Sequence, residues 1–130
     1  MPGTHSDQLR EFVEQVQQRA GLDNYEEAHQ LVRATLNVLG QSISGGEAKQ
    51  LAGWLPADVR TELTDQSGHA GGFDKRNFLE KVGGMVYTVD LDQVEKQTRA
   101  ALQVVHAWAP DGERDDVLTQ LSGELAEMFR

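Results

Sequence analysis

Two arginine–glutamate combinations have residue types and spacing that could form a defined ionic interaction. Arg33 precedes Glu47 by 14 residues, and Arg99 precedes Glu113 by the same number. In both cases the arginine falls in the middle of one predicted helix and the glutamate in the first turn of the next. We expect each pair to be a structural ion pair that fixes the turn between its helices. The alternatives are that the glutamates only stabilise helix starts, or that the arginines bind an anionic ligand.

Glu26 and His29 could provide metal chemistry, because they have the Glu-x-x-His spacing used by di-iron four-helix bundles. Such a site needs two of these motifs with their ligands facing inward, and we find one. The predicted helix phase also points Glu26 away from the apolar stripe of its helix. We therefore interpret His29 as a boundary residue and predict no metal and no cofactor.

Other catalytic patterns do not emerge from the sequence. The four histidines, His5, His29, His69 and His106, are scattered over a terminus, a loop and two helices. The glycine pairs at 71–72 and 83–84 lack the Lys-Ser/Thr that follows in a phosphate-binding loop. The absence of cysteine excludes disulfides, thiolate zinc sites and cysteine nucleophiles. These observations favour a protein that is not an enzyme.

The composition predicts an acidic, soluble globular domain. The chain has 130 residues, of which 38% are hydrophobic and 25% charged, and a formal net charge of −9 at pH 7. This charge is spread over both halves of the chain and repels phosphate backbones, so we do not expect a nucleic-acid partner. No apolar run approaches the ~20 residues that a membrane span needs, and residues 1–5 do not resemble a signal peptide. We expect a cytoplasmic protein without membrane contact.

The elements that position these residues are predicted to be two copies of one unit. Residues 9–63 align with residues 75–129 at an offset of 66, without a gap, and share eleven identities in 55 positions. About three or four identities are expected by chance. Identical residues include Arg10, Phe12, Glu14, Val16, Arg33, Ala34, Leu36, Val38, Gly46, Glu47 and Leu55, with their counterparts 66 residues later. We expect the glycine-rich segment 64–74 to be a joint within a single domain spanning 1–130.

Each copy is predicted to contain four helices. Apolar residues recur at helical spacing in 9–16 and 78–82, and a polar cap followed by Glu or Gln three residues later marks a helix start at Asn24 and at Asp90. The expected fold is all-α, with about eight helices in two four-helix halves related by a pseudo-twofold axis. Segment 83–89 contains a β-branched run that also fits a strand, but the alignment favours a helix end and a loop.

The second helix of each copy has apolar residues on two faces. Ala34 and Val38 lie opposite the main apolar stripe, and Ala100 and Val104 repeat this arrangement in the second copy. These four residues, which we call the second stripe, indicate either a central helix or an interface with a partner. We favour the central helix, and we note the four positions as the candidate interface.

The sequence resembles the bacterial domain-of-unknown-function family 2267 over residues 9 to 129. The resemblance rests on Phe12 to Val16, on the segments RATLNVLG (33–40) and LAGWLPADVRTEL (51–63), on Gly46-Glu47-Ala48 and on Leu55-Pro56. The second copy departs from this pattern, with Arg114 in place of Ala48 and Ser122 in place of Pro56. The resemblance implies an all-α bacterial domain, and it implies no activity and no catalytic residues.

Two functional hypotheses follow. The first is a non-catalytic interaction or accessory module, for example in stress physiology, whose partner is an unknown protein or a second copy of the chain. The second is a small-molecule or metal-binding protein, including an enzyme, with a pocket between the halves lined by Arg33, Arg99, Glu47 and Glu113. An exposed second stripe would favour the first hypothesis, whereas a buried one would remove its positive support. Two closed arginine–glutamate pairs would count against the pocket.

Overall fold

A computed structural model describes residues 4–65, 74–88 and 90–130, and this part of the chain is entirely helical, without strands. These described ranges contain eight α-helices, as the sequence predicts for the class and number of elements. In chain order they are α1 (Thr4–Ala20), α2 (Tyr25–Ser42), α3 (Gly45–Ala52), α4 (Arg60–Thr64), α5 (Lys75–Val86), α6 (Leu91–Trp108), α7 (Asp111–Gln120) and α8 (Gly123–Phe129), with a 3₁₀ turn at Ala57–Val59 before α4. Most of the predicted joint, 66–73, lies outside the described residues.

The predicted caps set the starts of the two longest helices. Asn24 caps α2: its Oδ1 accepts the Glu27 N–H at 2.8 Å, and its Nδ2 donates to Glu27 Oε1 at 3.0 Å. Asp90 caps α6, because its Oδ1 accepts the N–H groups of Asp92 and Gln93. Both caps satisfy amides that the first helical turn leaves without an intrahelical partner. The predicted starts of these two helices are therefore confirmed.

Helix α5 ends in a tight left-handed turn. Tyr87 follows the helix with φ 59°, and its N–H donates to the Gly83 carbonyl. The Thr88 N–H also donates to Gly83, at 2.9 Å. Residues 83–88 therefore form a helix end and a turn, as predicted, while residue 89 lies outside the described residues.

Helix α2 is the centre of the fold. It packs against α1, α4, α5 and α6, so both of its apolar faces are covered. The second stripe is buried: Ala34, Val38, Ala100 and Val104 are each at most 4% exposed. The four residues form part of the core, as the central-helix interpretation predicts. The alternative interpretation of these four positions, an interface with a partner, loses its support, because none of the four is exposed on the single chain.

The contact between α2 and α4 depends on a glycine, which has no Cβ atom. Gly40 on α2 lies directly against the backbone carbonyl of Leu63 on α4, where a Cβ atom would collide with that oxygen. Leu63 itself is fully buried in the core. Glycine at position 40 therefore lets the short helix α4 approach α2 closely.

In the described ranges, no helix combines the length and the apolar character that a membrane-crossing helix needs.

Candidate functional site

The two arginines that were predicted to pair with the glutamate of the next helix have other partners. Arg33 Nε lies 3.0 Å from Glu62 Oε1 on α4, which packs against α2. Arg99 Nη2 lies 3.3 Å from Glu95 Oε2, one turn earlier on α6, and Lys75 on α5 approaches the same carboxylate oxygen to 2.9 Å. The side chains of both arginines are more than a third exposed. The observed ion pairs therefore differ from the predicted ones. Glu62 reaches Arg33 because α4 packs on α2, and Glu95 reaches Arg99 because the two lie one turn apart on α6.

Glu47 and Glu113, the other halves of the predicted pairs, turn towards each other instead. Glu47 is the third residue of α3 and Glu113 the third residue of α7, and these two helices are in contact. Each glutamate is only 8% exposed. A carboxylate in a first helical turn is favoured by the helix dipole, which accounts for the residue type at both positions. Burial of two like-charged groups against each other is what distinguishes this place from an ordinary helix start.

The two carboxyl groups have incomplete hydrogen bonding. A side-chain hydrogen bond between them is one of the causes that raise the pKa of Glu113. The second oxygen of each, Glu47 Oε2 and Glu113 Oε2, is buried and has no hydrogen-bond partner. A buried polar atom without a partner is uncommon and costs free energy, so these two oxygens call for a bound species or a proton.

Asp116 adds a third carboxylate on the solvent side. It lies one turn after Glu113 on α7 and is exposed. One oxygen from each of Glu47, Glu113 and Asp116 lies within 4.8 Å of the other two. Within the part of the chain that the structure describes, these three residues form the group of carboxylates and imidazoles compact enough to hold one metal ion. We call Glu47, Glu113 and Asp116 the carboxylate site.

The electrostatics of the carboxylate site disfavour two ionised buried groups. Burial raises the pKa of Glu113 from 4.5 to about 8, and the hydrogen bond to Glu47 and the charges of Glu47 and Asp116 act in the same direction. Two carboxylates 4 Å apart repel each other by about 4 kcal/mol at an effective dielectric constant of 20. At neutral pH without a cation, Glu113 therefore keeps its proton. Chemically, this arrangement can retain a proton or accept a cation.

A second polar contact joins α3 to α7 beside the carboxylate site. The Ser44 N–H donates to Gln120 Oε1 at 2.7 Å, and Gln120 Nε2 donates to Ser44 Oγ at 3.3 Å. Ser44 Oγ in turn accepts the Glu47 N–H at 3.2 Å, as the N-cap of α3. The end of α7 is thereby connected through Ser44 to the backbone of Glu47.

The Glu-x-x-His spacing at the start of α2 does not build a metal site in this fold. Glu26 is exposed, and the His29 ring lies beside the Tyr25 ring with centroids 5.9 Å apart. Neither residue belongs to the compact ligand group described above.

The predicted pocket lined by both arginines and both glutamates is not formed as one cavity. Arg33 lines a surface groove of about 200 Å³ together with Glu62 and Met85. Arg99 lines a different groove, of about 460 Å³, with Arg19. This corrects the prediction that the four charged residues share one site.

Neither Asp116 nor the contact between the two glutamates was predicted from the sequence. The signal that could have indicated the contact is the offset of 66, which relates Glu47 to Glu113. Residues at equivalent positions of two copies meet each other wherever they lie near a twofold axis. Their pairing with arginines was inferred from chain proximity alone, and Asp116 has no acidic counterpart because position 50 is Gln.

The family of the chain follows from comparison of its sequence with known proteins. The model of a family described as uncharacterized conserved protein (DUF2267) matches residues 9–128. No curated protein matches the chain significantly. The matched range covers nearly all of the described helices and agrees with the resemblance carried by the sequence motifs. The chain therefore belongs to the DUF2267 family.

Proposed function

We propose that this protein binds a divalent cation at the carboxylate site formed by Glu47, Glu113 and Asp116. The observation that carries the proposal is the pair of buried glutamates, each 8% exposed and each with one oxygen that has no hydrogen-bond partner. Neither forms a salt bridge with an arginine or lysine, although the described residues include several such pairs elsewhere. A cation between the two carboxylates supplies the missing positive charge.

The donor set indicates the class of cation. All three side chains offer oxygen atoms, which are the ligands preferred by Mg²⁺, Ca²⁺ and Mn²⁺. Glu47 and Glu113 would bind from the protein side and Asp116 from the solvent side. The exposure of Asp116 leaves room for water molecules to complete the coordination, as is usual for Mg²⁺ and Mn²⁺.

The proposal follows the second of the two hypotheses drawn from the sequence and departs from the expectation that no metal is bound. The interaction role had its positive support in the second stripe, and those residues are part of the core. The carboxylate site replaces the predicted pocket between the arginines as the place where ligand chemistry is concentrated.

We also propose that the chain consists of two copies of one four-helix unit, and that the carboxylate site lies near the axis relating them. The helix bounds support this: α2 and α6, α3 and α7, and the 3₁₀ turn and α8 all begin 66 residues apart. A pair of equivalent contacts supports it further. Gly40 lies against Leu63 in the first half, and His106 packs edge-to-face on Phe129, with ring centroids 5.3 Å apart, in the second.

The proposal is tested by titrating the metal-free protein with Mn²⁺ at pH 7.5 and following the electron paramagnetic resonance signal of free Mn²⁺. We expect one Mn²⁺ per chain with a Kd of about 10⁻⁵ to 10⁻³ M, and displacement by excess Mg²⁺ or Ca²⁺. Glu47→Gln and Glu113→Gln should each weaken binding by at least about tenfold, because each removes a charged ligand while preserving the side-chain shape.

Glu124→Gln is the matched control for this titration. Glu124 lies in the first turn of α8 and is exposed, so the substitution removes the same charge from an equivalent helical position without touching the carboxylate site. Its Mn²⁺ affinity should equal that of the parent. The proposal is wrong if the parent shows no saturable binding at millimolar Mn²⁺, or if Glu47→Gln and Glu113→Gln bind as the parent does.

A further inference from the structure

We propose that Gln120 is a positioning residue for the carboxylate site, acting through Ser44 on the placement of Glu47. This inference rests on the proposed cation binding, and it concerns a residue that touches none of the three ligands by hydrogen bond. Gln120 is the last residue of α7, and Ser44 is the N-cap of α3. Their contact spans 76 residues of sequence and joins the two helices that supply the ligands.

The contact between Gln120 and Ser44 consists of two hydrogen bonds, in which each residue donates once and accepts once. Ser44 N–H donates to Gln120 Oε1 at 2.7 Å, and Gln120 Nε2 donates back to Ser44 Oγ at 3.3 Å. Two simultaneous hydrogen bonds to one residue restrict its position more than a single bond does. A side-chain amide suits this place, because it offers one acceptor and one donor group from the same planar end.

The effect of Gln120 reaches Glu47 through the cap of α3. Ser44 Oγ accepts the Glu47 N–H at 3.2 Å, so the hydroxyl group that Gln120 holds is also the group that holds the Glu47 backbone. The Glu47 carboxylate must stay within 4.8 Å of ligands that are carried on α7. Gln120 is carried on the same helix and therefore fixes the start of α3 relative to the other two ligands. Polar groups that orient metal ligands from outside typically change affinity by 10- to 100-fold when they are removed.

The second half of the chain has no equivalent of this support. The residue that corresponds to Ser44 is Pro110, which caps α7 without a side-chain hydrogen bond and has no N–H to donate. The residue that corresponds to Gln120 is Trp54, which is 51% exposed. Glu47 is thus held through Ser44 by a side chain from the opposite helix, whereas the cap of α7 makes no side-chain hydrogen bond. Helix α3, whose first two residues are Gly45 and Gly46, is the one that receives this support.

The test is Gln120→Ala, with Gln50→Ala as the control. Both glutamines are exposed on the helices that form the site, but no hydrogen bond from Gln50 to the cap of α3 is present among the described residues. We expect Gln120→Ala to raise the Mn²⁺ Kd by about tenfold and to alter the electron paramagnetic resonance spectrum of bound Mn²⁺. The unfolding midpoint in urea with a chelator should stay within error of the parent, because Gln120 is exposed. Gln50→Ala should match the parent in every respect.

A double-mutant cycle with Ser44→Pro shows whether Gln120 acts through Ser44. Proline removes both groups that Gln120 contacts, and Ser44 has φ −67°, which proline adopts without strain. Ile43 before it is extended, as a residue preceding proline requires. In the Ser44→Pro background, Gln120→Ala should no longer change the Mn²⁺ Kd.

The inference about Gln120 is overturned if Gln120→Ala binds Mn²⁺ as tightly as the parent, or if its loss of affinity persists unchanged in the Ser44→Pro background. Either result leaves the cation site itself in place, because the parent still binds. If the parent does not bind Mn²⁺, the proposed function fails first, and the role of Gln120 fails with it. The two failures are therefore distinguishable in one series of titrations.

Discussion

The stability of the metal-free protein should depend on pH through Glu113, and Glu113→Gln should remove that dependence. The pKa of Glu113 is about 8 in the folded protein, against 4.5 in an unfolded chain. Between these values the folded state holds a proton that the unfolded state has released. The free energy of unfolding must therefore fall as the pH rises from about 4.5 to about 8, and it levels off above that range.

The size of the effect follows from the two pKa values. One unit of pKa corresponds to about 1.4 kcal/mol, so the rise from 4.5 to about 8 sets an upper limit of roughly 5 kcal/mol. Rearrangement of the site and entry of water at high pH reduce this limit. Glutamine mimics the protonated carboxyl group and does not titrate. We expect Glu113→Gln to match the parent within about 1 kcal/mol at pH 5 and to exceed it by about 2 to 4 kcal/mol at pH 8.5.

Urea unfolding followed by circular dichroism, with a chelator present, measures this difference at pH 5, 7 and 8.5. Titrating groups that do not interact with Glu113 are shared by the two proteins and cancel in the comparison. Glu124→Gln serves again as the control, and its stability should run parallel to that of the parent. If the curves of Glu113→Gln and the parent are also parallel, the pKa of Glu113 is not raised in the folded protein, and the electrostatic description of the site is wrong.

Four further substitutions test the fold and are measured by the same urea unfolding. Gly40→Ala should lose about 2–4 kcal/mol because its Cβ meets the α4 backbone, whereas Gly46→Ala, where the space is open, should be neutral or slightly stabilising. Glu95→Gln should lose less than about 1 kcal/mol at pH 7; the lysine and arginine beside Glu95 lower its pKa, so this loss disappears as the pH falls through that lowered value. Trp108→Phe should lose about 1–2 kcal/mol with the 2.9 Å hydrogen bond to Gln15. Equal losses in Gly40→Ala and Gly46→Ala would refute the packing argument.

Features that depend on neighbouring residues in the chain were predictable from the sequence. The caps at Asn24 and Asp90 act on amides two or three residues away, so their residue types and spacing were sufficient. The apolar faces of α2 could also be predicted from the sequence, because helical periodicity shows which residues share a face. Whether those faces met a partner or the rest of the chain depended on tertiary packing, which surrounds α2 with α1, α4, α5 and α6 and buries the second stripe.

The ionic partners could not be predicted in this way. Arg33 pairs with Glu62, 29 residues later, because α4 folds back against α2, and chain spacing alone does not report that packing. The burial of Glu47 against Glu113 likewise requires two distant helices to meet at their starts. From the sequence, both glutamates were paired with arginines, because opposite charges were expected to lie together. Packing instead placed two like charges together, which is the arrangement that suggests a ligand.

The packing of α1 and α2 against α5 and α6 has a consequence for how the protein folds. Helix α1 packs on α6, and α2 packs on both α5 and α6, so the first two helices and these two later helices cover each other's apolar surface. Local opening of α1 and α2 therefore uncovers apolar surface of α5 and α6, and the reverse also holds. We expect these helices to unfold together, with the amides of α2 the last to undergo hydrogen exchange.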